Sequence, residues 1–101
     1  MAIESDHWSY ERKHRSDKGG RRWHFVSRST FDPAVPYEDQ PYELYFRDDD
    51  RTQFGLLRFA RRKDNPYRDY ETVVTKIMND HDFRRTLLDP STEDVWSKNW
   101  K

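Results

Sequence analysis

Residues 45–59 read YFRDDDRTQFGLLRF, three consecutive aspartates between two apolar runs. How this stretch is read decides the fold. Aspartate suits a tight turn because its carboxylate can accept from nearby backbone amides. Asp48-Asp49-Asp50-Arg51 therefore predicts the bend of a β-hairpin. Upstream, YELYFR (42–47) alternates Tyr42, Leu44 and Phe46 against Glu43, Tyr45 and Arg47, the period of a strand. Downstream, TQFGLLRFARR (52–62) is apolar enough for a strand with one covered face, and its Gly55 marks a bulge or a close backbone approach. The competing reading is a cation site. Calcium takes about six to eight oxygens from a wrapped loop, and neither the alternate spacing nor the distal Glu of an EF-hand is present. The triplet is expected to be a solvated bend.

A second hairpin precedes this one. HWSYERKHR (7–15) and RRWHFVSRS (21–29) both alternate, and SDKGG between them supplies Gly19 and Gly20 for positive φ. FDPAVPYEDQP (31–41) holds three of the five prolines and reads as a connecting loop. After the second hairpin the period changes. Tyr70, Val73, Val74, Ile77 and Met78 recur at helical spacing. Asn65-Pro66 is the expected N-cap and first helical residue. FRRTLL (83–88) reads as a second short helix. A third starts at Asp89-Pro90 or at Ser91 with Asp94, and carries Trp96 and Trp100 on one face.

The expected fold is α+β: a four-stranded antiparallel sheet from two consecutive hairpins, with C-terminal helices packed on one face. Strands are expected near 7–15, 21–29, 42–47 and 52–62, and helices near 66–79, 82–88 and 91–99. All of 1–101 forms one small domain.

Composition agrees with a folded chain. Leu, Ile, Val and Phe number only 18 of 101 residues, but 19 basic residues cancel 19 acidic ones, and 4 Trp and 6 Tyr are present. Disorder would require net charge and few aromatics, so a core rich in aromatic rings is expected. The charge is unevenly laid out: seven basic to four acidic in 1–30, three to seven in 31–60, nine to eight beyond. Cysteine is absent, which removes disulfides and thiolate chemistry. No apolar run suggests a secretory leader or a membrane span. A cytoplasmic location without membrane association is expected.

Sequence motifs for catalysis are missing: no G-x-S-x-G, no Gly-rich phosphate loop, no dinucleotide fingerprint, no H-E-x-x-H. His14 and His24 could meet across the first hairpin, but two histidines lack the third ligand that zinc takes. No metal, no cofactor and no enzymatic activity are expected.

The informative feature is the second face of the sheet. If Trp8, Tyr10, Trp23, Phe25, Leu44, Phe46, Leu57 and Phe59 point to the helices, alternation turns the others away. Those are Glu11, Lys13, Arg15, Arg22, His24, Val26, Arg28, Glu43, Tyr45, Arg47, Phe54, Leu56 and Arg58. Six of them are basic and two acidic. An ordinary solvated face with Arg–Glu pairing would look similar. The binding residues singled out are Lys13, Arg15, Arg22, His24, Arg28, Tyr45, Arg47, Phe54 and Arg58, with Trp96 and Trp100 of the last helix. Arg and aromatic side chains suit a protein interface. The expected function is a non-catalytic module that contacts a protein partner or a second copy of itself. The alternative is RNA or single-stranded DNA bound on the same face, by stacking on aromatics and phosphate neutralisation by Arg. A small enzyme is a third reading, with no assignable reaction.

Overall fold

A computed structural model describes residues 5–31, 33–60 and 62–97; the side chains of 5–12, 29–31 and 41 fall outside the description. Four strands form one antiparallel sheet in chain order: β1 Ser5–Ser16, β2 Arg22–Phe31, β3 Pro41–Asp48 and β4 Phe54–Ala60. Three α-helices follow: α1 Tyr70–Asn79, α2 His81–Thr86 and α3 Glu93–Ser97. Short 3-10 turns lie at Tyr37–Asp39 and Pro90–Thr92. The expected α+β architecture of two hairpins and C-terminal helices is present. No described helix is long and apolar enough to cross a membrane.

Both hairpin turns are built by an aspartate. Asp17 Oδ1 accepts from the amides of Gly19 and Arg21, and its Oδ2 from the Trp23 indole at 3.3 Å. Gly20 takes φ +81°, a backbone region open to glycine at no steric cost. Asp48 does the same for the second turn. It is not solvated but buried, accepting from the amides of Thr52 (2.8 Å) and Gln53 (2.9 Å) and from the Thr52 hydroxyl. Burial acts to raise the Asp48 pKa, but these bonds to the anion outweigh it, and the net shift is downward.

The main core lies between the sheet and α1–α2. Trp23, Phe25, Leu44 and Phe46 from the strands meet Val73, Val74, Ile77 and Met78 from α1. The sheet supplies mostly rings and the helix supplies aliphatics, which fits a sequence poor in aliphatic residues overall. Arg84 of α2 is buried here. Its Nη1 donates to the carbonyls of Ile77 (2.9 Å) and Met78 (3.1 Å), and its guanidinium lies 4.6 Å from the Trp23 ring centre. These are carbonyls of the last turn of α1, so the cation sits at the negative end of that helix.

The first helix begins later than expected. Asp69, not Asn65, is its N-cap, accepting from the Thr72 amide at 3.3 Å and the Thr72 hydroxyl at 2.7 Å. Asn65 instead accepts from the Tyr67 amide and donates to the Ala60 carbonyl. Asn65-Pro66 thus holds a turn against the end of β4 rather than starting a helix. Asp89 caps the Pro90–Thr92 turn by accepting from the Ser91 amide.

The helices divide between the two faces. After α2 the chain runs along the free edge of β4: Leu56 N–H donates to Leu87 O at 3.1 Å, and Asp89 N–H donates to Phe54 O at 2.8 Å. This covers an edge that would otherwise expose unpaired backbone groups. It also carries the chain around the edge, so α3 lands on the opposite face from α1. There Trp96 and Val95 pack on Val26, Tyr45, Phe54 and Leu56 as a second, smaller core.

Candidate functional site

The face expected to be open is largely occupied, by its own charges and by α3. Glu43 on β3 stands between Arg28 on β2 and Arg58 on β4, its directly paired neighbours. Its carboxylate lies 3.5 Å from Arg28 and 2.6 Å from Arg58 and accepts from the Tyr45 hydroxyl at 3.3 Å. Bonding to Glu43 raises the Arg58 pKa. Burial, then the charge of Glu43, raises that of Tyr45. Tyr45 and Phe54 lie under α3, and Trp96 is buried against them. Arg47 places its guanidinium 5.1 Å from the Trp96 ring centre and donates to the Asp48 carbonyl. Arg22 is exposed, opposite Ser16 at the end of the first hairpin. Trp100 lies outside the described residues.

Lys13 and Arg15 belong to the other face. Ser9 pairs with Ser27 and Lys13 with Phe25, so β1 uses four residues where β2 uses two. Lys13 stands opposite Phe25 and Arg15 opposite Trp23, on the α1 side, because odd positions of β1 pair with odd positions of β2 both before and after the irregularity. Lys13 Nζ lies 5.3 Å from the Tyr70 ring centre, and Arg15 bonds Glu71 of α1 at 2.7 Å. The expected register of β1 differs from this one by an odd number of residues, which exchanges the two faces of the strand. The expectation for Trp8, Tyr10 and Glu11 falls outside the described side chains.

That same phase brings His14 to His24. They are direct cross-strand partners, with ring centres 3.9 Å apart and planes at 64°. Asp49, from the aspartate triplet, joins them: its Oδ1 is 2.7 Å from His24 Nε2. His24 is buried, whereas His14 and Asp49 are exposed. Burial lowers the His24 pKa, against the bond to Asp49, and keeps the ring neutral near pH 7. The same bond lowers the Asp49 pKa. His24 therefore donates its Nε2 proton to an anionic Asp49.

A cleft of about 280 Å³ opens on the α1 side, lined by Tyr37, Tyr42, Phe59, Arg68 and Tyr70. Tyr42 and Phe59 are cross-strand partners with ring centres 4.8 Å apart. Tyr37 comes from the 3-10 turn and is 66% exposed. Arg68 is shared with an adjoining hollow that adds Pro36, Glu38 and Lys63. Neither Arg68 nor Lys63 has a carboxylate within 4 Å among the described residues, while neighbouring Arg62 is paired with Asp39 at 3.1 Å.

Comparison with protein-family models, curated proteins and solved structures found no match.

The sequence raised Asp49 only as part of a triplet read as a bend rather than a cation site, and marked none of Tyr37, Tyr42, Phe59, Arg68 and Tyr70 as parts of a site. Asp49 reaches His24 from 25 positions away. The cleft draws on the 3-10 turn, two strand ends, the 62–69 loop and the first residue of α1. No short-range spacing encodes either grouping. The partial signals were the histidine pair and the rings at the strand ends.

Proposed function

We propose that this chain is a non-catalytic binding module that receives a short extended segment of a protein partner in the Tyr37–Tyr42–Phe59–Arg68–Tyr70 cleft. The observation that carries this reading is the joining of four aromatic rings to two cations, Arg68 and Lys63, that have no carboxylate within 4 Å among the described residues. Aromatic grooves accept proline or aromatic side chains from extended peptides. The cations at the mouth, against the single carboxylate Glu38, favour a segment that also carries acidic residues. Tyr and Arg supply large contact areas with directed hydrogen bonds. The sheet face first singled out supports binding less well, because its arginines share Glu43 and its aromatics lie beneath α3.

A displayed library of random peptides, panned on the wild-type protein, tests the reading. Acidic sequences bearing proline or an aromatic residue are expected to be enriched, and their binding lost in Arg68→Glu and Tyr37→Ala. Both positions are exposed, so the fold should survive the changes. No enrichment, or binding indifferent to both variants, overturns the proposal. A parallel fluorescence titration with mixed-sequence single-stranded RNA covers the alternative. Tight binding that weakens steeply with salt and needs Arg22 and Arg28 would replace the protein partner with nucleic acid.

A further inference from the structure

We infer that His14, His24 and Asp49 bind one divalent transition-metal ion of the zinc–cobalt class. Each residue comes from a different segment: β1, β2 and the β3–β4 turn. One candidate ligand atom from each lies within 4.8 Å of the other two. The two strands are directly paired at the histidines, so the ring separation is set by the sheet and not by flexible loops. Two imidazoles and one carboxylate match the ligands zinc accepts, whereas magnesium and calcium favour all-oxygen shells.

The surroundings fit a cation. His24 is buried, and its Nε2 stands 2.7 Å from Asp49 Oδ1, so a ligating nitrogen and a ligating oxygen already converge. The ion takes the place of the proton that His24 Nε2 shares with Asp49 Oδ1; the ring carries its single proton on Nδ1 instead, so His24 ligates as a neutral imidazole with no net loss of a proton. Three protein ligands leave a fourth position for water or for a donor from outside. Two arginines act on the site: Arg47, paired with His24 across the strands, donates to the Asp48 carbonyl, and the charge of Arg22 reaches Asp49. The site lies on the sheet face opposite the aromatic cleft, so it is independent of the peptide reading.

Chelator-treated protein is titrated with Co²⁺, followed by visible absorption, and with Zn²⁺ by calorimetry. One equivalent of Co²⁺ should give an absorption band that Zn²⁺ abolishes. His14→Gln and Asp49→Asn, both at exposed positions, should each weaken binding at least about tenfold, the minimum loss expected even for an outer-sphere partner. His81→Gln, outside the cluster, should leave it unchanged. On Zn²⁺ addition, long-range imidazole NMR should move the rings of His14 and His24 and not that of His81. Absence of a Co²⁺ band in the wild type, or affinity unchanged in both cluster variants, overturns the inference.

Discussion

Gly55 has no side chain because two neighbours occupy the space one would need. A Cβ there would stand 2.2 Å from Phe46 Cζ and 2.8 Å from the Leu87 carbonyl oxygen. The ring is locked in the core, and the carbonyl is bonded to the next amide along β4. Neither can yield without loss. Gly55→Ala is expected to destabilise the fold by about 3 kcal/mol, the upper part of the overpacking range. A urea midpoint unchanged by the substitution would mean that the chain does not approach β4 this closely. Arg84 shows the converse arrangement at the same scale. Burial lowers its pKa, yet two helix carbonyls and the Trp23 face receive its charge. A lysine lacks the planar guanidinium that lies over the Trp23 ring.

At the scale of elements, α3 is short, only five residues, and could not persist as an isolated helix. It is held by the second core and by the segment pinned to the β4 edge. Trp96 supplies its largest buried side chain. Trp96→Ala is expected to cost about 3–5 kcal/mol and to uncover Val26, Tyr45 and Phe54. Denaturant unfolding would measure the first effect and binding of a hydrophobic dye the second. Trp96→Phe should recover part of the stability, because the ring's packing matters more here than its N–H. A dye signal equal to that of the wild type in Trp96→Ala would show that α3 does not cover this face.

The whole molecule has no net charge, so its pH response comes from particular pairings. The Asp17 pKa is lowered: burial opposes the shift, but the Trp23 indole and the amides of Arg21 and Gly19 outweigh it. The Asp80 pKa is lowered by the Phe83 amide, then by Lys76. A carboxylate whose folded pKa is depressed contributes stability above its unfolded value, near 3.9, and loses it as pH falls through the folded value. The thermal midpoint should therefore hold from neutral pH to about 4, as far as these two groups decide it, and fall below that. Asp17→Asn and Asp80→Asn should lower the midpoint at pH 7 and each flatten the acid limb. Parallel curves for wild type and both variants would show that other groups govern acid unfolding.

The sequence by itself determined the number and order of strands, both hairpin bends and the helical character of 70–79. Those features follow from local periodicity and turn chemistry, which act over a few residues. It also marked Gly55 as a place where backbone comes close. Only the tertiary structure decided the phase of Lys13 and Arg15, because the register in which β1 pairs with β2 is settled only when the two strands meet. Only the tertiary structure put α3 on the second face, because that required the chain to pass around the β4 edge. The same passage turned the expected Arg/Tyr surface into a half-covered one. The third ligand beside His14 and His24 was visible in the sequence as one of three aspartates. Which aspartate turned inward to cap the hairpin, and which outward to His24, depended on hydrogen bonds that exist only once the strands have paired.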